Sequence, residues 1–181
     1  MYSVPVLITI SGLPGSGKTT VARLVAAALD LEHVYAGDLF RKQAEAHGLT
    51  LEQYARRAES DHSIDQALDE QMRQRARQDN AVLEGRLAAF MADEAGMAAL
   101  RVYLDAAEPV RAERIAGREG GEADARLRES QAREESDARR YRDIYGFDYH
   151  DRDRYDLVLA TDGRTPEDLA GEIVRRARSP R

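Results

Sequence analysis

Short apolar runs separated by longer, more polar stretches set the rhythm of this chain. Val6–Ile10, Val34–Tyr35, Ala81–Leu83, Arg101–Leu104 and Leu157–Leu159 have the composition of strands, with helical stretches between them. That alternation predicts a parallel sheet with covering helices. The first helix is expected from about Gly17 through Leu29, with Val21, Leu24, Val25, Ala28 and Leu29 on one apolar stripe and an alanine-rich opposite face. The last should begin at Thr165-Pro166-Glu167-Asp168, where a capping hydroxyl, a first-turn proline and two acids coincide, and end around Arg175–Arg178.

Two strongly polar insertions interrupt the rhythm, one at about 39–80 and one at about 117–153. In the first, Gly48-Leu49-Thr50-Leu51-Glu52 reads as a break followed by a capped helix; in the second, Gly120-Gly121 precedes the helix formers of Arg126–Arg142. No repeat, low-complexity linker or change of composition separates them from the rest, so the 181 residues are expected to form a single domain carrying two subdomains that work as flaps. The basic tail Arg175–Arg181 reads as a frayed helix end.

Composition narrows the function classes. The chain has no cysteine, which excludes disulfides and thiolate metal sites, and His33, His47, His62 and His150 are too scattered for a zinc cluster. No apolar run approaches the roughly 20 residues of a membrane span, and no signal-peptide pattern precedes the first strand, so a cytoplasmic protein is expected. A formal net charge of −6 argues against a surface for nucleic-acid polymers, which demands clustered basic charge. Lys18 and Lys42 are the only lysines among 27 basic residues, so phosphate recognition falls largely to arginine, whose planar fork suits bidentate contacts.

The most informative segment is Gly12-Leu13-Pro14-Gly15-Ser16-Gly17-Lys18-Thr19, a complete G-x-x-x-x-G-K-[ST] pattern between a predicted strand and a predicted helix. Its glycines let the loop curl with N–H groups inward, the helix N-terminus adds partial positive charge, and Lys18 can reach the β- and γ-phosphates of ATP. Thr19 offers a hydroxyl to Mg2+. Glu84, at the expected carboxyl end of a strand, and Asp38 are candidates to orient magnesium-bound water, since Mg2+ in nucleotide sites keeps several waters.

A phosphate loop alone does not separate a kinase from a switch; its surroundings do. Ala36-Gly37-Asp38-Leu39-Phe40-Arg41 resembles the acceptor-binding segment of nucleoside monophosphate kinases, and Glu84-Gly85-Arg86 resembles their third-strand motif. Over essentially its whole length the chain is similar to cytidylate kinases of the compact archaeal type. The similarity runs through Ile10-Ser11-Gly12-Leu13-Pro14-Gly15-Ser16-Gly17-Lys18-Thr19-Thr20, Leu83-Glu84-Gly85-Arg86-Leu87, Ala112-Glu113-Arg114-Ile115-Ala116 and Arg139-Arg140-Tyr141-Arg142-Asp143-Ile144-Tyr145-Gly146.

The resemblance implies a three-layer α/β P-loop kinase fold with a five-stranded parallel sheet, a helical acceptor-binding insertion and a lid. It implies that residues 12–20 hold ATP, that Arg41 and Arg86 grip the acceptor phosphate, that Arg114 packs on the donor base, and that Arg118 reaches the donor phosphates. Arg111, on the same helical face, has no assignment. Among Arg133, Arg139 and Arg140 of the lid, at least one should reach the transferred phosphoryl; the alternative is a solvent face laced by Glu129–Arg133 and Glu135–Arg139 pairs at i,i+4 spacing. The Thr161-Asp162-Gly163 loop is expected to border adenine. Asp65, with Asp61, Asp69 and Gln71, is a candidate to accept from the cytosine amino group.

The expected reaction is therefore ATP-dependent phosphorylation of a nucleoside monophosphate, CMP and dCMP first. Adenylate kinase or another small-molecule P-loop kinase is the alternative, although the Gly85-Arg86 junction lacks the Gly-Phe-Pro-Arg spacing of adenylate kinases. A non-kinase nucleotide switch is a third possibility, which has no use for a second phosphate pocket. The sequence assigns no oligomeric state.

Overall fold

The computed structural model describes residues 6–179. Five strands, β1 (Leu7–Gly12), β2 (Glu32–Tyr35), β3 (Ala81–Glu84), β4 (Ala99–Asp105) and β5 (Leu157–Ala160), form one parallel sheet in the order β2-β3-β1-β4-β5. The helices are α1 (Lys18–Leu29), α2 (Ala36–Ala46), α3 (Leu51–Ser60), α4 (Ser63–Arg77), α5 (Ala88–Glu94), α6 (Glu108–Glu119), α7 (Ala123–Tyr145) and α8 (Pro166–Arg178), with a single 3-10 turn at Arg152–Arg154. All five predicted strands are present. β1 runs on to Gly12 because every residue in it is buried, Thr9 and Ser11 included, and these two hydroxyls are what break the apolar run in the sequence.

Parallel strands bury both faces. On one side Ile8, Ile10, Val82, Val102, Leu104 and Leu159 pack against α1 and α8; on the other Leu7, Ala81, Leu83 and Ala99 pack against α4, α5, Phe147 and Tyr149. The face of α1 that meets the sheet is Val21, Ala22, Val25 and Ala26, whereas the predicted Ala28 is exposed and Leu24 and Leu29 are only partly buried. Small side chains lie inward because α1 is wedged between the sheet and α8, where alanines allow close approach. Helix α5 lay unrecognised in the sequence: its seven residues are too few for a clear helical period, and it is specified by burying Ala88, Ala89, Met91 and Ala92.

The first insertion closes on a core of its own, in which Ala44, Tyr54, Ala58 and Ile64 pack with Phe40 and Leu49. Its middle helix starts as the sequence indicates: Thr50 Oγ1 accepts from the Gln53 amide and Gln53 Oε1 accepts from the Thr50 amide, a reciprocal capping box. The second insertion is dominated by α7, 23 residues long and capped by Gly146 in the left-handed region. The chain passes from β1 outward past β3 to β2, and later crosses to β4 on the opposite side. At this reversal the carboxyl ends of the strands open a crevice, the usual ligand position in such sheets.

No helix among the described residues is long and apolar enough to cross a membrane. Helix α8 ends at Arg178, and Pro180 and Arg181 of the basic tail lie outside the described residues. Its start carries the predicted cap, Thr165 Oγ1 accepting from the Asp168 amide at 3.2 Å. Thr165→Ala is expected to lower the unfolding free energy by about 1 kcal/mol, and Thr165→Ser to retain it, in equilibrium urea denaturation.

Candidate active site

The loop between β1 and α1 curls in a way that L side chains resist. Gly12 and Gly15 have φ of 148° and 79°, and a Cβ at Gly15 would come within 2.6 Å of the Arg111 carbonyl oxygen. The glycines are needed for backbone shape and for close seating on the start of α6. Ser16 is buried, its amide donating to the Leu13 carbonyl at 3.2 Å. Lys18 opens α1 and donates from Nζ to the Leu13 carbonyl at 2.7 Å. Its ammonium is packed among protein atoms, and burial followed by the nearby Arg86 charge lowers its pKa to about 7; Glu84 opposes the shift, while Arg133 and Arg111 add to it.

Thr19 Oγ1 donates to Glu84 Oε1 at 2.6 Å. Glu84 is fully buried at the end of β3, and its second oxygen lies 2.9 Å from His33 Nε2 on β2. The sequence pointed to Thr19 and Glu84 but passed over His33. Its role depends on β2 and β3 pairing in parallel, which sets His33 two positions before Tyr35, the partner of Glu84. Hydroxyl and carboxylate oxygens form a donor set suited to a hard cation such as Mg2+, which needs few protein ligands when phosphates and waters supply the rest. The described residues contain no cluster of three or more His, Cys, Asp or Glu that could hold a metal unaided. Asp38, the other predicted acid, makes no hydrogen bond or ion pair with Thr19 or Glu84. Its carboxylate takes the Arg41 guanidinium one helical turn away.

Arg86 follows β3 and is mostly buried, forming an ion pair with Asp137 of α7. Asp137 also accepts from Arg140 at 2.7 Å, and Arg140 Nε donates to Asp65 of α4 at 2.7 Å. The chain Arg86–Asp137–Arg140–Asp65 thus joins the sheet, α7 and the first insertion through alternating charges with little solvent access. Asp69, one turn beyond Asp65, accepts from the Tyr145 hydroxyl at 2.6 Å, and burial raises its pKa to about 6. Asp61 and Gln71, the remaining base-reading candidates, are outside this buried row.

Arg133 lies on the same side of α7 and has no hydrogen-bond or ion-pair partner among the described residues. It is open to the crevice, but Arg86 stands near enough to lower its pKa, with burial adding to the effect. Arg41 stands over the Tyr35 ring, 5.2 Å from its centroid. Lys18, Arg86 and Arg133 are therefore the cations gathered at the crevice, and Tyr35 carries Arg41 to its edge. Arg139 is not among them: it lines a separate cleft of about 740 Å3 with Glu108, Glu135, Arg142 and His150, which contains no residue of the loop. Two residues of helix turn Arg139 roughly 200° away from Asp137. The predicted pairs Glu129–Arg133 and Glu135–Arg139 do not form among the described residues, Glu129 pairing with Arg126 at 2.6 Å instead.

Beside the loop, Gly15, Ser16, Gly17, Thr20, Arg114, Arg118, Thr161 and Arg164 surround a cavity of about 340 Å3. Arg114 is fixed there by the Thr161 hydroxyl at 2.9 Å and the Thr161 and Gly15 carbonyls at 3.2 and 3.3 Å. Arg118 is exposed at the rim and pairs with Glu119 at 2.5 Å. Leu13 and Pro14 complete the loop, and Pro14 offers its carbonyl to Arg111.

The profile of the cytidylate kinase-like family matches residues 7–163, across the loop, the arginine row and the Thr161 turn. The chain belongs to this family. It is 45% identical over 189 residues to the cytidylate kinase of Methanopyrus kandleri, covering 99% of this chain and 96% of that one. To the cytidylate kinase of Methanococcoides burtonii it is 46% identical over 154 residues, covering 84% and 86%. Among solved structures, shikimate kinase from Acinetobacter baumannii in complex with shikimate superposes with a TM-score of 0.61 at 18% identity, covering 96% and 93%, a likeness of fold. For this member of the cytidylate kinase-like family, the lowered Lys18 pKa has a measurable consequence. A triphosphate seated on the loop would bring anionic charge to an amine with a lowered pKa, so at pH 8 the wild-type protein should take up more protons on binding than Lys18→Arg, whose guanidinium stays charged. Calorimetric titration in buffers of different ionisation enthalpy measures that uptake; equal uptake by the two proteins would rule out Lys18 as its source.

Proposed function

We propose that this protein transfers the γ-phosphoryl group of ATP to a nucleoside monophosphate, with CMP and dCMP as acceptors, in a cytoplasmic setting. The observation that carries the proposal is the convergence of Lys18, Arg86 and Arg133 on the crevice beside the phosphate loop. One phosphate chain would satisfy the loop and Lys18. Arg86, at the end of β3, is held by Asp137, but Arg133 beside it has no ion-pair partner among the described residues, and that charge calls for a second anion.

In this mechanism ATP lies along Gly12–Thr20, its base beside Arg114 and the Thr161 turn and its outer phosphates within reach of Arg118. Thr19, with Glu84 acting through water, would hold Mg2+, which when bound neutralises phosphate charge. Arg86 and Arg41 take the acceptor phosphate from two sides. Arg133 meets the moving phosphoryl group, with Arg140 holding Asp137 and Asp65 behind it. The bond from the γ-phosphorus to ADP breaks as a bond forms to an acceptor phosphate oxygen. That oxygen is already anionic near neutral pH, a phosphomonoester losing its second proton around pH 6, so no side chain need act as general base. The work of the protein is alignment of two anions and compensation of their repulsion. Asp65 and Asp69, buried where α4 meets α7, are suited to accept from the cytosine amino group.

The test is coupled ADP production with CMP, dCMP, UMP, AMP, GMP or dTMP offered separately, beside a control without acceptor. Rates confined to CMP and dCMP are expected. A preference for AMP would overturn the acceptor, and a rate independent of acceptor would overturn the kinase. Lys18→Ala should lower kcat by about 100-fold or more with the fold intact by circular dichroism.

A further inference from the structure

Arg111 sits in the first turn of α6 with only 2% of its surface exposed, directly behind the phosphate loop. Its Nη1 donates to Glu134 Oε1 of α7 at 2.6 Å and to the Pro14 carbonyl at 3.2 Å. Glu134 is buried as well; the same oxygen accepts from Ser130 Oγ at 2.8 Å, and its backbone carbonyl accepts from the Tyr149 hydroxyl at 3.2 Å. Gly15 rests on the Arg111 backbone. Loop, α6 and α7 therefore meet at one buried pair. Both side chains are buried, Arg111 behind the loop, and each compensates the charge of the other. Stability does not account for them: apolar side chains of similar volume commonly replace a buried ion pair without loss. What a directional pair supplies, and an apolar contact does not, is a fixed rotation of α7 relative to the loop. The neighbour of Glu134 in the chain is Arg133, and Asp137, the partner of Arg86, follows three residues later.

We propose that Arg111 and Glu134 are a positioning pair that locks the phosphate loop to α7, so that Arg133 and Lys18 reach one phosphoryl group in register. The proposal rests on reading Arg133 and Lys18 as groups that touch the transferred phosphate. Arg111 itself touches no reacting atom. Its effect belongs in kcat, because each nucleotide keeps its own contacts when α7 turns, while the alignment between them is lost.

Three variants test it, with kcat expressed per folded molecule. Arg133→Ala examines the underlying reading and should lower kcat by about 100-fold. Arg111→Met/Glu134→Leu removes both charges at similar volume; kcat should again fall by about 100-fold with KM for ATP and CMP within about threefold, since a misplacement near 1 Å has that effect. Glu134→Gln keeps an oxygen for Arg111 and should restore most of the wild-type kcat. Wild-type turnover by the folded double variant, with Arg133→Ala impaired, overturns the positioning role alone. Unimpaired Arg133→Ala overturns the reading beneath it. If the double variant does not fold, Arg111→Lys decides: its shorter side chain stops short of the Nη1 position from which both partners are bonded, so low kcat at unchanged KM supports the pair and wild-type kcat refutes it.

Discussion

Several positive charges must be held close together beside a crevice, and most of the architecture answers that constraint. Burial and the charges of Arg86, Arg133 and Arg111 lower the pKa of Lys18, and Arg86 together with burial lowers that of Arg133. Left alone, such a group would spread apart or lose protons. Here Arg86 has Asp137, Arg111 has Glu134, and Lys18 feels Glu84 from the floor. Arg133 is without such a partner among the described residues, and it faces the crevice where an incoming phosphoryl group would supply the missing charge.

The sheet makes this concentration of charge possible. β1 delivers the loop and β3 delivers Glu84 and Arg86 to neighbouring positions, because the two strands are paired in parallel with Ile10 opposite Glu84. β2 adds His33 to the far oxygen of Glu84. Helix α7 then lies across the opening, meeting α6 through Arg111 and the first insertion through Arg140 and Asp65. The first insertion and the helix behind the phosphate loop are thus tied to the same helix, α7.

How much of this was legible in the sequence follows from how local each feature is. The phosphate-loop motif, the Thr165 cap and the helix start at Thr50 are written in a few neighbouring residues and appear as read; the reciprocal bond from Gln53 that makes Thr50 a capping box was not foreseen. Glu84 was legible because a short apolar run ended just before it, and Arg86 through the resemblance of Glu84-Gly85-Arg86 to a third-strand kinase motif. The partners of the arginines were not. Arg111 and Glu134 are 23 residues apart and Arg140 and Asp65 are 75 apart, whereas helical spacing alone offered Glu129–Arg133 and Glu135–Arg139, neither of which forms. Arg139 looked equivalent to Arg140, yet a 100° step of the helix turns it to another cleft. Asp38 stood in a promising motif, but its nearest cation was Arg41, one turn away on its own helix.

The central claim is that donor and acceptor phosphates occupy adjoining positions and exchange one phosphoryl group directly. An inhibitor joining adenosine and cytidine through five phosphates measures that claim in one experiment. Competition against both ATP and CMP is expected, with affinity above either nucleotide alone and a marked loss in Arg86→Ala. Competition against ATP alone, undiminished in Arg86→Ala, would contradict it, leaving a nucleotide site with no second phosphate beside it.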